Sequence, residues 1–176
     1  MKNFLRLLLF CCLLPHIAWA GIKMGHTPKN IELKGDLGGR LDGSPWESNE
    51  LRGKVHVLFY VDPDKKDLNN EASEALKAED FSRKKFQSVA IINMAATWLP
   101  NFAISSSLKK KQEQYPTTIY LRDYTTGVVT AWEISDDNSN VLAFDKQGRL
   151  VFRKDGKLNQ EDIRKLIKII RDHLDR

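Results

Sequence analysis

The sequence predicts an α/β fold, a mixed central sheet with helices on its faces, and three stretches carry that prediction. Val55-His56-Val57-Leu58-Phe59-Tyr60-Val61 is a nearly continuous apolar run of β-branched and aromatic residues, the pattern of a central strand buried on both faces. Helix-spaced apolar residues and a second such run, Val89-Ala90-Ile91-Ile92, follow it, as in a parallel strand-helix-strand unit. Further on, two apolar runs flank Asp145-Lys146-Gln147-Gly148, the pattern of an antiparallel hairpin.

The first element in order is a leader. Met1–Ala20 reads as a signal peptide: Lys2 and Arg6 supply positive charge, Leu7–Leu14 is apolar, Pro15 breaks the run, and Ala18-Trp19-Ala20 has the small-x-small cleavage pattern. The run is far short of the ~20 residues of a membrane span, and no apolar stretch of that length follows. Bulky Phe10 before Cys11 argues against lipoprotein processing. The expected division is therefore 1–20 signal peptide and 21–176 a single domain, large enough to fold around its own core without disulfides. Both cysteines, Cys11 and Cys12, lie in the leader, so the mature chain holds none. Its net charge falls from +5 to +3, with both signs interleaved, which gives no clustered basic stripe for nucleic acid. Lys109-Lys110-Lys111 is the one dense basic run and is expected on the wet face of a helix.

After the leader the chain is turn-rich to Gly53, with a short strand around Ile31 and Leu33. Asp62-Pro63-Asp64 ends the first long strand. Leu68, Ala72, Ala75 and Leu76 then space a helix that Asp67 or Asn69 is expected to cap. Ile104, Leu108 and Tyr115 place a second helix that Pro116 stops. Thr117–Leu121 and Val128–Trp132 read as strands around a turn at Gly127. The last helix is the clearest. Asn159 caps it with Asp162 at the third position, Leu158 and Ile163 form a staple, and Ile163, Leu166, Ile167, Ile170 and Leu174 make one apolar stripe.

Leu51-Arg52-Gly53-Lys54 ahead of the first long strand, and Val141–Phe152 with Asp145 and Gly148, resemble the thioredoxin-like oxidoreductases and peroxiredoxins. In those families the first strand delivers a reactive cysteine, and a cis-proline facing it precedes the later strand. Here the corresponding places hold Asp62-Pro63-Asp64 and Ser139-Asn140. Over the whole mature chain the sequence is similar to the YtfJ family of periplasmic thioredoxin-like proteins, through Leu51–Val61, Ile92–Asn93, Tyr115-Pro116, Trp132 and Val141–Arg149. The resemblance implies a thioredoxin-like (peroxiredoxin-like) three-layer fold and a periplasmic location. It carries over no activity.

Thiol chemistry is excluded by content, because it needs a thiolate. There is no G-x-S-x-G nucleophile elbow, and no glycine-rich phosphate loop opens a helix. Asp62-x-Asp64-x-x-Asp67 lacks the glycine and terminal glutamate of a calcium loop, so no metal and no cofactor is expected; the acids suit a helix N-terminus. His56, Tyr60 and Trp132 read as core. A binding surface remains. In such sheets, sites gather at the carboxyl ends of strands, which here places Asp62, Asp64, Asp67, Trp98, Ser139 and Asn140 on one candidate face. Asp155, in the turn Lys154-Asp155-Gly156, is expected at the far end of the sheet. The expected role is binding of a periplasmic protein or peptide, with no nucleic acid and an open oligomeric state. The rivals are a carboxylate- or metal-dependent enzyme at the former redox position and a structural envelope protein.

Overall fold

The computed structural model describes residues 21–175, so the predicted leader lies outside them. In chain order the elements are β1 (Glu32–Leu33), β2 (Gly38–Arg40), β3 (Trp46–Glu47), β4 (Val55–Val61), α1 (Asn70–Ala78), β5 (Phe86–Asn93), α2 (Asn101–Gln114), β6 (Ile119–Asp123), α3 (Gly127–Trp132), β7 (Ser139–Phe144), β8 (Leu150–Asp155) and α4 (Gln160–Leu174).

Six strands form a mixed sheet in the order β2-β6-β5-β4-β7-β8. β4, β5 and β6 run parallel. β7 joins β4 antiparallel, and β8 joins β7 as the predicted hairpin. β4 sits in the middle and every residue of it is buried, as its unbroken apolar run requires. β2 closes the other edge against β6. Gly38 is obligatory there, because a Cβ at that position would fall 1.9 Å from the Arg122 carbonyl oxygen.

The sheet separates two apolar layers. On one face Val57, Phe59, Val141 and Ala143 meet Leu76 of α1, Ile104 and Leu108 of α2, and Leu166 and Ile170 of α4. On the other, Leu58, Tyr60, Ile91, Leu142 and Phe144 meet Val128 and Trp132 of α3 and the N-terminal residues Leu33, Trp46 and Leu51. Alternation along each strand assigns the side chains to these layers. α4 carries the expected reciprocal cap: Asn159 Oδ1 accepts from the Asp162 amide at 2.8 Å, and Asp162 Oδ2 from the Asn159 amide at 3.2 Å. Its staple residues, Leu158 and Ile163, are both buried.

Two expectations need correction. Val128–Trp132 is a helix, not a strand. The carboxylate of Asp123, at the end of β6, accepts backbone N–H bonds from Thr125 (3.0 Å), Gly127 (3.1 Å) and Val128 (3.0 Å), and this anchored turn overrides the β preference of the valines. Val128 and Trp132 then fall one turn apart and are both fully buried. Neither Asp67 nor Asn69 caps α1 with its side chain. Asn69 holds the N-cap position, but its amide turns inward to the sheet.

Candidate functional site

The end of the sheet where β4 and β5 finish is built from polar residues set on an apolar base. Asp62 follows β4 directly. Its backbone N–H donates to Asn138 O at 2.9 Å, tying the end of β4 to the entry of β7, and its Oδ1 accepts from the Asp64 amide at 2.8 Å, opening the one-turn helix Pro63–Lys65. Asp62 is buried, and that burial raises its carboxyl pKa against the lowering pull of the Asp64 amide; the charges of Asp64 and Asp137 add to the rise.

β7 is antiparallel to β4, with Val61 opposite Ser139 and Tyr60 opposite Asn140. Ser139 and Asn140 therefore sit at the amino end of their strand beside the carboxyl end of β4. The expected proximity holds, although β7 arrives in the opposite direction. Asp155 lies at this same end, opposite Asn140, and not at the far one: the hairpin brings β8 back beside the start of β7. Asp155 receives the Arg153 guanidinium at 2.7 and 3.0 Å.

Ser139 and Asn140 are both buried and face opposite layers. Ser139 meets Asn69, whose Nδ2 donates to the Ser139 carbonyl and hydroxyl oxygens and to Gly156 O, each at 3.1 Å. Asn69 Oδ1 accepts from the Leu158 amide at 2.9 Å. One carboxamide thus joins the start of α1 to β7, the β8 turn and the approach to α4. On the opposite face Tyr60 donates to Asp123 at 3.1 Å, Asn93 Nδ2 to Asp136 at 3.1 Å and Asn140 Nδ2 to Ser135 O at 2.7 Å. The side-chain carbonyl oxygens of Asn93 and Asn140 are buried there without a partner. Burial and the Asp123 carboxylate drive the Tyr60 phenol pKa far upward, so Tyr60 stays a neutral donor.

The remaining candidates lie outside this polar floor. Asp64 is exposed, and Thr97 Oγ1 reaches its Oδ1 at 3.5 Å, linking the acidic loop to the segment that carries Trp98. Trp98 is 88% exposed and Phe102, on the first turn of α2, is 78% exposed. Asp67 stands apart from that segment. Its carboxylate accepts from Asn70 Nδ2 at 3.0 Å and faces Lys111 at 3.9 Å. Sequence reasoning missed Asn69 as a bridge and Phe102 as a second exposed aromatic of the same segment. No group of three or more histidine, cysteine or acidic residues placed to hold a metal ion occurs among the described residues. Asp62-Pro63-Asp64 follows β4 where the resemblance expects a reactive cysteine, and the described residues contain no cysteine, so they carry no classical thiol-disulfide or thiol-peroxidase chemistry.

Residues 29–173 match the family described as "Bacterial protein of unknown function (YtfJ_HI0045)". The chain belongs to the YtfJ family. Its relatives include an uncharacterised protein of Haemophilus influenzae, 32% identical over 130 residues that cover 72% of this chain and 70% of the relative. The YtfJ protein of Escherichia coli K12 is 28% identical over 93% of this chain and 94% of its own length. Among solved structures, a putative protein disulfide isomerase from Bacteroides thetaiotaomicron superposes with a TM-score of 0.64 at 17% identity, covering 89% of this chain and 94% of the other. A putative thioredoxin from Neisseria meningitidis gives 0.60 at 16% identity, covering 82% and 89%. These likenesses establish the thioredoxin-like fold. YtfJ family membership and that fold both agree with the resemblance read from the sequence. No helix among the described residues is long and apolar enough to cross a membrane.

Proposed function

We propose that this YtfJ-family protein is exported to the periplasm through a cleaved signal peptide. There it acts as a non-redox binding protein whose partner is a periplasmic protein or peptide. The observation that carries the binding reading is the exposure of two large aromatic side chains, Trp98 and Phe102, in the segment that Thr97 ties to the carboxylate of Asp64. Exposed aromatics of this size are favoured anchors of interfaces, and an adjoining acidic loop suits a partner with basic residues next to an apolar anchor. The buried floor tied by Asn69 and Asp62 gives the acidic loop a fixed base.

Export is supported by the charged, apolar and small-x-small pattern of residues 1–20, which makes Gly21 the first residue of the expected mature chain. Its backbone nitrogen donates to Glu133 Oε2 at 2.9 Å. Cleavage after Ala20 leaves an ammonium facing that carboxylate.

A second reading, a carboxylate- or cation-dependent enzyme, rests on buried Asp62 and the two unpartnered amide oxygens of Asn93 and Asn140. The experiment that separates the readings is affinity capture from periplasmic extract, with and without chelator, by wild type, Trp98→Ala, Asp64→Lys and Glu113→Lys. Glu113 is exposed near the end of α2, at the opposite end of the sheet. All three substitutions lie on the surface and are expected to change stability by only ~0.5 kcal/mol. Wild type and Glu113→Lys capture one partner, and Trp98→Ala and Asp64→Lys lose it about tenfold or more, whether or not chelator is present. Equal capture by all four sinks the proposed face; loss with chelator alone favours the rival.

A further inference from the structure

A cavity of about 540 Å³ lies between the sheet and the α1–α2 layer, within the ~300–1,000 Å³ range of small-molecule sites. Its floor is apolar and incompletely covered. Phe59, Val61, Ala90, Ile92 and Tyr120 keep 7–9% exposure, while their strand neighbours Leu58, Tyr60, Val89, Ile91 and Leu121 on the opposite layer keep 0–1%. The helices on this side are thus held off the sheet, and the opposite layer is sealed. Leu76, Ile104 and Leu108 form an apolar roof.

The polar rim is unbalanced. Lys66, Lys77, Arg83 and Lys111 line the cavity against a single carboxylate, Asp80. Two of these cations lie near one aromatic ring: Lys77 and Lys111 Nζ stand 5.2 and 5.8 Å from the centre of Tyr115, whose hydroxyl donates to Glu74. Lys77 makes a long 3.5 Å bond to Gln114 O, and Lys111 is partly satisfied by Asn70 at 3.2 Å and Asp67 at 3.9 Å. An apolar chamber with ammonium groups on its rim matches an amphipathic anion.

We propose that this cavity binds a single-chain acyl anion, a free fatty acid. Its tail lies along Phe59, Ala90 and Ile92, and its carboxylate lies at Lys77 and Lys111. The site is separate from the Trp98 segment and does not depend on the partner proposed there.

The test is calorimetric titration of the purified mature protein with dodecanoate, decanoate and dodecanol. Dodecanoate binds with one-to-one stoichiometry. Decanoate binds about tenfold more weakly or worse, because each buried methylene contributes about fourfold. Dodecanol, with the same tail and no charge, is also weaker, as is dodecanoate with Lys77→Gln. Ser107→Phe, projecting from α2 into the chamber, abolishes binding while the melting temperature holds; Ala90→Leu, filling the floor, does the same if Ser107→Phe does not fold. The absence of saturable dodecanoate binding below its micelle-forming concentration overturns the proposal. So does undiminished binding by the cavity-filling variants, or binding only to phospholipid vesicles.

Discussion

At the residue scale, Asp62 shows what burial does to a group placed where related folds carry a cysteine. Desolvation raises its carboxyl pKa above the ordinary 3.8, so the native state favours the protonated form relative to the unfolded chain. The stability this contributes is fully present below the unfolded pKa and is lost as pH rises through the native one. Asp62→Asn imitates the protonated acid and keeps the oxygen that accepts the Asp64 amide. The expected outcome is a higher melting temperature than wild type near neutral pH, with the difference closing as pH falls below the carboxylate range. A lower melting temperature at neutral pH would show instead that ionised Asp62 stabilises the fold. Residue identity made this position legible as a candidate, but its burial depends on Asn138 and β7, far along the chain. Sequence pattern alone does not separate a surface tryptophan from a core one, and the surrounding packing leaves Trp98 in solvent.

At the element scale, α3 is the clearest case of a contact overriding local preference. Its valines favour a strand, yet Asp123 gathers three backbone N–H groups and the Tyr60 hydroxyl onto one buried carboxylate. Asp123→Ala removes the cap and leaves Tyr60 without its acceptor. The combined cost is about 3 kcal/mol, a fall in melting temperature of roughly 6–12 °C for a chain of this size. Asp123→Asn keeps one acceptor oxygen and loses less. Thermal melts followed by near-ultraviolet circular dichroism, which reports buried Trp132, check both; a melt within 1–2 °C of wild type for Asp123→Ala, on the scale of less than ~1 kcal/mol, contradicts this account. By contrast, the signals of β4, the β7–β8 hairpin and α4 were local: an apolar run, an Asp-to-Gly turn and a reciprocal cap. Each agrees with its tertiary surroundings, so these elements were read correctly.

At the scale of the whole molecule, the first described residue packs against the end of α3. Gly21 N–H reaches Glu133, and the next amide, of Ile22, donates to Trp132 O at 3.0 Å. If the exported chain begins at Gly21, its new ammonium pairs with the Glu133 carboxylate. Intact mass spectrometry of the exported protein is expected to show Gly21 as its first residue, and Glu133→Gln to lower the melting temperature of that form slightly at neutral pH. The loss should shrink as pH rises past the α-amino pKa of about 8, where the ammonium is neutralised. Retention of Cys11 or Cys12 in the exported protein would falsify the processing reading.

By itself the sequence determined the α/β class, the order of the long elements and, through its resemblance to a known family, family membership. The first two rest on periodicities confined to a few neighbouring residues, and the third on matching stretches of sequence. Tertiary structure alone decided the rest. It turned 127–132 into a helix, brought Asp155 to the same sheet end as Asp62, buried Ser139 and Asn140, exposed Trp98 and Phe102, and left the chamber beneath α1 and α2. For the helix the reason is a carboxylate two to five residues away that gathers its first amides, a contact that hydrophobic period does not report. The other four depend on which distant strand lies alongside, and on whether a helix packs tightly against the sheet, contacts that leave no repeat along the chain.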